Sequence, residues 1–116
     1  MTVRFHEVVI DCADPRALAR FWAAVTGYAL DIDSDEWASI RGEGERDIVI
    51  GFQRVPEDKV VKNRVHVDLG ATDEEAEARR IEALGATRRW VSDDPGDPFV
   101  ALADPWGNEF CVVRDA

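Results

Sequence analysis

The feature that most constrains this chain is an internal repeat. The same order of elements occurs twice in 116 residues, as two copies of a roughly 55-residue β-α-β-β-β unit. Arg4 to Cys12 is rich in Val and Ile and reads as a strand. Asp14-Pro15 follows, an N-cap and a first-turn proline. Leu18, Phe21, Trp22 and Val25 then recur at helical spacing until Gly27. Tyr28 to Ile32, Trp37 to Arg41 and Ile48 to Arg54 are strands separated by polar, glycine-bearing turns.

After Pro56-Glu57-Asp58-Lys59 the order returns. Arg64 to Leu69 is a strand. Thr72 with Glu75 forms a capping box, with Asp73 as the competing N-cap. Ala78, Ile81 and Leu84 give a weaker helical stripe ending at Gly85. Thr87 to Val91, Phe99 to Ala103 and Glu109 to Arg114 are the last strands. Asp14 precedes Gly27 by 13 residues and Asp73 precedes Gly85 by 12. The fold class is therefore α+β, a single domain over 1–116 with module 1 at 1–57 and module 2 at 62–116. Neither unit alone buries both its helix and its sheet face. Two curved sheets around a shared cleft are the expected solution.

The net charge of −10 repels phosphate backbones and anionic lipid, which argues against nucleic-acid and membrane partners. No apolar run reaches the length of a membrane helix. The first six residues lack an apolar signal core, so the expected location is the cytoplasm. Cys12 and Cys111 form no Cys-x-x-Cys motif.

Strand alternation locates the chemistry. In the second unit Val65, Val67 and Leu69 share the face expected to pack on the helix. Arg64, His66 and Asp68 share the other, and three polar side chains on one strand face call for a wet or coordinating surface. Anchoring Asp14 on Asp73 lays His66 on Glu7, and it puts His6 on the helix-packed side. In the last strands the count pairs Gly51 with Glu109 and Gln53 with Cys111. The polar set on the cleft is then Glu7, Gln53, Arg64, His66, Asp68, Glu109 and Cys111. Imidazole beside carboxylate suits a divalent cation or acid-base chemistry. Trp37 and Trp90 are placed to stack on planar ligands, with core packing as the competing explanation. Trp22 reads as core, and Trp106 as a turn residue at a dimer contact or pocket lid.

Val8-Val9-Ile10-Asp11-Cys12-Ala13-Asp14, then Phe21 to Tyr28, resembles the opening of the vicinal oxygen chelate superfamily. This is the glyoxalase, bleomycin-resistance and extradiol-dioxygenase group. Asp104-Pro105-Trp106-Gly107-Asn108-Glu109-Phe110 resembles its Asp-Pro-x-Gly-Asn turn. Phe52 to Pro56 and Lys62 to Leu69 resemble a glyoxalase-like subgroup common in bacteria. The resemblance covers essentially the whole chain. It implies one divalent metal held from the first and last strands of each unit. Those places are Glu7, His66, Cys111 (with Glu109 two residues before it) and a position near Gly51 or Gln53. Cys111 stands where the family's glutamate is expected, and a thiolate there favours zinc. The resemblance also implies a small-molecule ligand and a homodimer.

Three functions follow as expectations. One is a metal-assisted glyoxalase-like lyase or isomerase, or a dioxygenase relative, with His66 and Glu7 as catalytic candidates. Another is a metal-free drug-binding protein of the bleomycin-resistance type. The third is a metal-free enzyme with His66 as base.

Overall fold

The computed structural model describes residues 2–115. The chain divides into two compact units, Met1–Asp58 and Lys59–Ala116. The first contains β1 (Glu7–Cys12), α1 (Pro15–Thr26), β2 (Ala29–Asp33), β3 (Trp37–Arg41) and β4 (Val49–Arg54). The second contains β5 (Val67–Ala71), α2 (Glu74–Ala83), β6 (Thr87–Val91), β7 (Phe99–Ala103) and β8 (Glu109–Arg114). Each unit is a four-stranded sheet, ordered β1-β4-β3-β2 and β5-β8-β7-β6. In each, the first strand pairs parallel with the last and the other pairings are antiparallel. The α+β architecture of two βαβββ units is the expected one. No helix among the described residues is long and apolar enough to cross a membrane.

The first helix starts where the Asp14 carboxylate accepts from the Ala17 N–H at 3.2 Å. It ends at Gly27, whose φ of 79° lies in the left-handed region. Leu18, Phe21, Trp22 and Val25 are buried. Phe21 and Trp22 meet edge to face, with centroids 5.6 Å apart. Opposite them lie Ala38, Ile40 and Phe52, all fully buried. Each such large side chain contributes about 1.5–3 kcal/mol on burial.

The second helix is less apolar and is held partly by charge. Asp73, not Thr72, is its N-cap, accepting from the Ala76 N–H at 3.0 Å. Ala78 and Ile81 are its buried apolar residues. Arg88 on β6 donates to Glu82 Oε1 at 2.8 Å and to Glu75 Oε2 at 2.9 Å. Arg114 on β8 donates to the buried Glu74 at 3.0 Å. These pairs tie α2 to the edge strand β6 and to the inner strand β8.

Two strands begin three residues later than alternation predicts, and β2 and β4 one residue later. β1 starts at Glu7 rather than Arg4, and β5 at Val67 rather than Arg64. In the second unit the reason is a side-chain clamp. Asn63 donates its backbone N–H to Glu109 Oε2 at 3.0 Å and its side-chain amide to Glu109 O at 2.9 Å. Lys59 donates to Glu109 Oε1 at 3.1 Å. These contacts replace the start of the β5–β8 ladder. Val65 is consequently 81% exposed instead of packing on the helix, while Val67 and Leu69 are half-buried as expected.

The Asp-Pro-Trp-Gly-Asn turn is a hydrogen-bonded knot. Asp104 is buried, and its Oδ1 accepts from the N–H groups of Trp106 at 2.9 Å and Asn108 at 3.0 Å. Its Oδ2 accepts from the Asn108 side-chain amide at 3.0 Å. Gly107 takes a φ of 92°, which only glycine adopts without strain. The motif therefore builds the entry to β8.

Candidate functional site

The parallel ladders fix which side chains stand together. Val9 pairs with Gly51 in the first unit, and Asp68 pairs with Cys111 in the second. Gly51 is thus the counterpart of Cys111, and Val49 the counterpart of Glu109. Counting along the sequence had paired Gly51 with Glu109 and Gln53 with Cys111. The ladder moves both pairings by two residues, because the count followed the chain and not the backbone hydrogen bonds that pair the strands.

In the second unit one row of neighbours crosses the sheet face away from α2. It runs from Trp90 through Ala101 and Cys111 to Asp68. Trp90 reaches this face through an irregularity. Arg88 pairs with Leu102, but Trp90 pairs with Ala101, so one extra residue is accommodated between them. Ala101 is small and buried, and it leaves room above the row. A concavity of about 360 Å³ results, lined by His66, Asp68, Trp90, Phe99, Cys111 and Val113 among others.

His66 immediately precedes β5, and its Nε2 lies 3.3 Å from Asp68 Oδ1. One donor atom from each of His66, Asp68 and Cys111 falls within 4.8 Å of the other two. Burial pushes the Cys111 thiol pKa up, and the Asp68 carboxylate pushes it further, against the opposing charge of Lys62. The free thiol is therefore protonated and a poor nucleophile at neutral pH.

Glu109 is not part of this cluster. Both its carboxylate oxygens are engaged by the Lys59–Asn63 clamp. Burial acts to raise its pKa, but the Asn63 N–H and the Lys59 ammonium prevail and hold it at about 2. Glu109 thus works as an ionised anchor for the segment before β5.

The first unit has its own concavity of about 440 Å³, lined by Arg4, His6, Glu7, Asp31, Trp37 and Arg41 among others. His6 is exposed and faces this space, contrary to its expected helix-packed place. Alternation does not reach it, because β1 begins one residue later. The Trp37 ring lies across Gly51. A Cβ built on Gly51 stands 2.5 Å from Trp37 Cη2 and 3.3 Å from Glu7 Oε2.

Two expected pocket residues lie elsewhere. Gln53 and Arg64 are exposed and line neither concavity. Gln53 sits one pleat beyond Gly51, and Arg64 lies in the irregular segment held by the clamp. Phe99 and Ala101 escaped the sequence reading. Their signal was present in the alternation of β7 opposite β8.

The metal set implied by the family resemblance is incomplete. Its place on the last strand of the first unit is Gly51, which has no donor, and an indole ring fills the space where a side chain would stand. Cys111 replaces the expected carboxylate in the second unit. An oxygen-rich cage of the kind hard divalent cations prefer does not fit this donor set.

Comparison with known proteins agrees with the architecture. A glyoxalase-like domain profile matches residues 7–113. No curated protein matches the sequence at a significant level. Among solved structures, the chain is similar to a glyoxalase/bleomycin resistance protein/dioxygenase family enzyme from Burkholderia phytofirmans PsJN. The TM-score is 0.73 at 20% identity, over 93% of this chain and 95% of that one. It is similar to a bleomycin-binding protein from Streptomyces verticillus, solved with copper(II)-bleomycin. There the TM-score is 0.66 at 19% identity, over 100% of both chains. It is also similar to a lactoylglutathione lyase from Agrobacterium tumefaciens. That TM-score is 0.68 at 17% identity, over 96% and 92% of the two chains. At these identities the likeness is one of fold. With a domain profile spanning nearly its whole length, this chain belongs to the glyoxalase-like domain family.

Proposed function

We propose that this protein binds a small planar organic molecule on its concave sheet faces, without catalysing its conversion. Trp90 carries the reading. The residue is 50% exposed and lines the concavity with Ala101, Phe99 and Val113. A large aromatic surface left in water is a ready stacking platform. In the first unit Trp37 and Glu7 offer a flat ring beside a carboxylate. The incomplete family ligand set weighs against a metal-assisted lyase or isomerase, whereas a binding role needs no ion. The bleomycin-binding relative supports a binding role, and the lactoylglutathione lyase supports an enzymatic one, so fold does not choose between them.

Tryptophan fluorescence tests the binding reading. A panel of planar aromatic compounds is expected to include members that quench saturably. Trp90→Ala should abolish most of that quenching while Trp106→Ala retains it. A flat response across the panel, or quenching untouched by Trp90→Ala, overturns the proposal.

The same reading includes a homodimer. Val60, Val61 and Val65 of the second unit are exposed apolar residues suited to a partner surface. Sedimentation at micromolar concentration should give twice the 13.0 kDa chain mass. A monomer mass contradicts it.

A further inference from the structure

We infer that the concavity of the second unit selects a planar aromatic zwitterion, seated with its acidic group at Lys62 and its basic group at Asp97. This rests on the binding role proposed for Trp90 and adds the charge pattern of the ligand.

Strand register orders the lining. Val113 pairs with Phe99, Cys111 pairs with Ala101, and Ala101 pairs in turn with Trp90. Phe99, Val113, Ala101 and Trp90 thus form an apolar stretch in the middle of the concavity. Its two ends are charged. Asp97 lies just before β7, in the segment where Arg114 donates its N–H to Pro98 O at the far end of β8. Lys62 lies in the segment before β5, next to Asn63, which is bound to Glu109 at the start of β8. Both Lys62 and Asp97 line the same space. Asp97 is four residues before Ala101. At roughly 3.3 Å per residue, the two ends stand on the order of 10 Å apart.

Removing the charges that already have partners leaves one of each sign. Glu109 is neutralised by Lys59 at 3.1 Å. Asp68 is engaged by His66, whose Nε2 lies 3.3 Å from its Oδ1. Among the described residues, no carboxylate pairs with the Lys62 ammonium and no cation pairs with the Asp97 carboxylate. The Lys62 charge reaches the Cys111 thiol, where it opposes that of Asp68, so the ammonium acts on the concave face.

A ring stacked on Trp90 fills the apolar stretch, and a neutral ring leaves both end charges unmatched. A ligand with like charges at its two ends meets repulsion at one of them. A ligand with opposite charges at the matching spacing satisfies both. Because the two ends are open to water, each ion pair contributes about threefold in affinity, and the charge pattern acts mainly on selectivity. The first unit lacks this separation. In its concavity Arg41 already pairs with Asp31 at 3.4 Å.

Four naphthalene compounds serve as probes in titration calorimetry with the full chain. They are an aminomethyl naphthoate with its groups at opposite ends of the ring system, plain naphthoate, aminomethylnaphthalene and the neutral naphthamide. The aminomethyl naphthoate is expected to bind about threefold tighter than either singly charged compound and about tenfold tighter than naphthamide, with margins that shrink at high salt. Asp97→Asn should bring it down to the level of naphthoate, and Lys62→Gln to the level of aminomethylnaphthalene. The double variant Lys62→Glu with Asp97→Lys should recover the preference, because the ligand then sits reversed. Both side chains are exposed, and far-ultraviolet circular dichroism checks that each variant is folded. Naphthamide binding that neither charge improves overturns this inference and leaves the planar-ligand role standing. No binding by any of the four overturns both. A zwitterion preference that survives both single variants overturns the assignment to Lys62 and Asp97.

Discussion

Trp37 occupies the space that a side chain on Gly51 would need. A Cβ on Gly51 would stand 2.6 Å from Trp37 Cζ2 and 2.5 Å from Cη2, closer than carbon atoms approach without displacement. The glycine and the ring are therefore one device. It exchanges a donor position for an aromatic wall next to Glu7. Gly51 is itself buried in the strand, paired with Val9 on one side and Ser39 on the other.

Gly51→Ala forces that ring away. Overpacking of this kind typically costs about 1–3 kcal/mol. Urea denaturation should show a midpoint decrease of that order, with an altered Trp37 environment in near-ultraviolet circular dichroism. Unchanged stability together with an unchanged spectrum would show that the ring does not rest on the glycine.

Glu109 gives the fold an acid-sensitive joint. Its pKa in the folded protein is about 2, against an ordinary 4.5. The folded state thus favours the carboxylate. Its contribution is complete above pH 4.5 and is lost as pH falls towards 2. Glu109→Gln should lower stability at neutral pH. It should also flatten the pH dependence between those limits relative to the parent, measured by denaturant unfolding across the range. Parallel pH profiles for the two proteins would refute the assignment.

Asp104 organises the turn before β8 through contacts to the Trp106 and Asn108 N–H groups. Asp104→Ala leaves these donors without their acceptor in a part-buried turn. Leaving each such group unsatisfied costs about 1–3 kcal/mol. A loss of about 2–4 kcal/mol in total is expected, read as a fall in the denaturation midpoint. A neutral substitution would show that the turn forms without the carboxylate.

Much of the fold was legible from residues that act locally. Asp14 and Asp73 cap their helices through contacts to the third residue on, and Gly27 ends its helix for lack of a Cβ. Trp37–Arg41, Thr87–Val91, Phe99–Ala103 and Glu109–Arg114 form strands over the ranges that alternation predicts. His66 and Cys111 stood out because polar side chains on a strand face demand an explanation. The late start of β5 was not legible, because Glu109 reaches back 46 residues to hold Asn63. No local pattern announces that contact.

By itself the sequence determined the repeat, the order of its elements, the helix caps and the two polar strand faces. All of these follow from side-chain period and from backbone groups satisfied within a few residues. Tertiary structure alone decided how neighbouring strands slide against one another. It aligned Cys111 with Gly51, set Asp68 rather than Glu109 beside the thiol, and used one extra residue in β6 to turn Trp90 onto the concave face. Register is a property of paired backbones. Moving it by a single residue carries a side chain to the opposite face, so the chemistry of this protein was set by hydrogen bonds between segments distant in sequence.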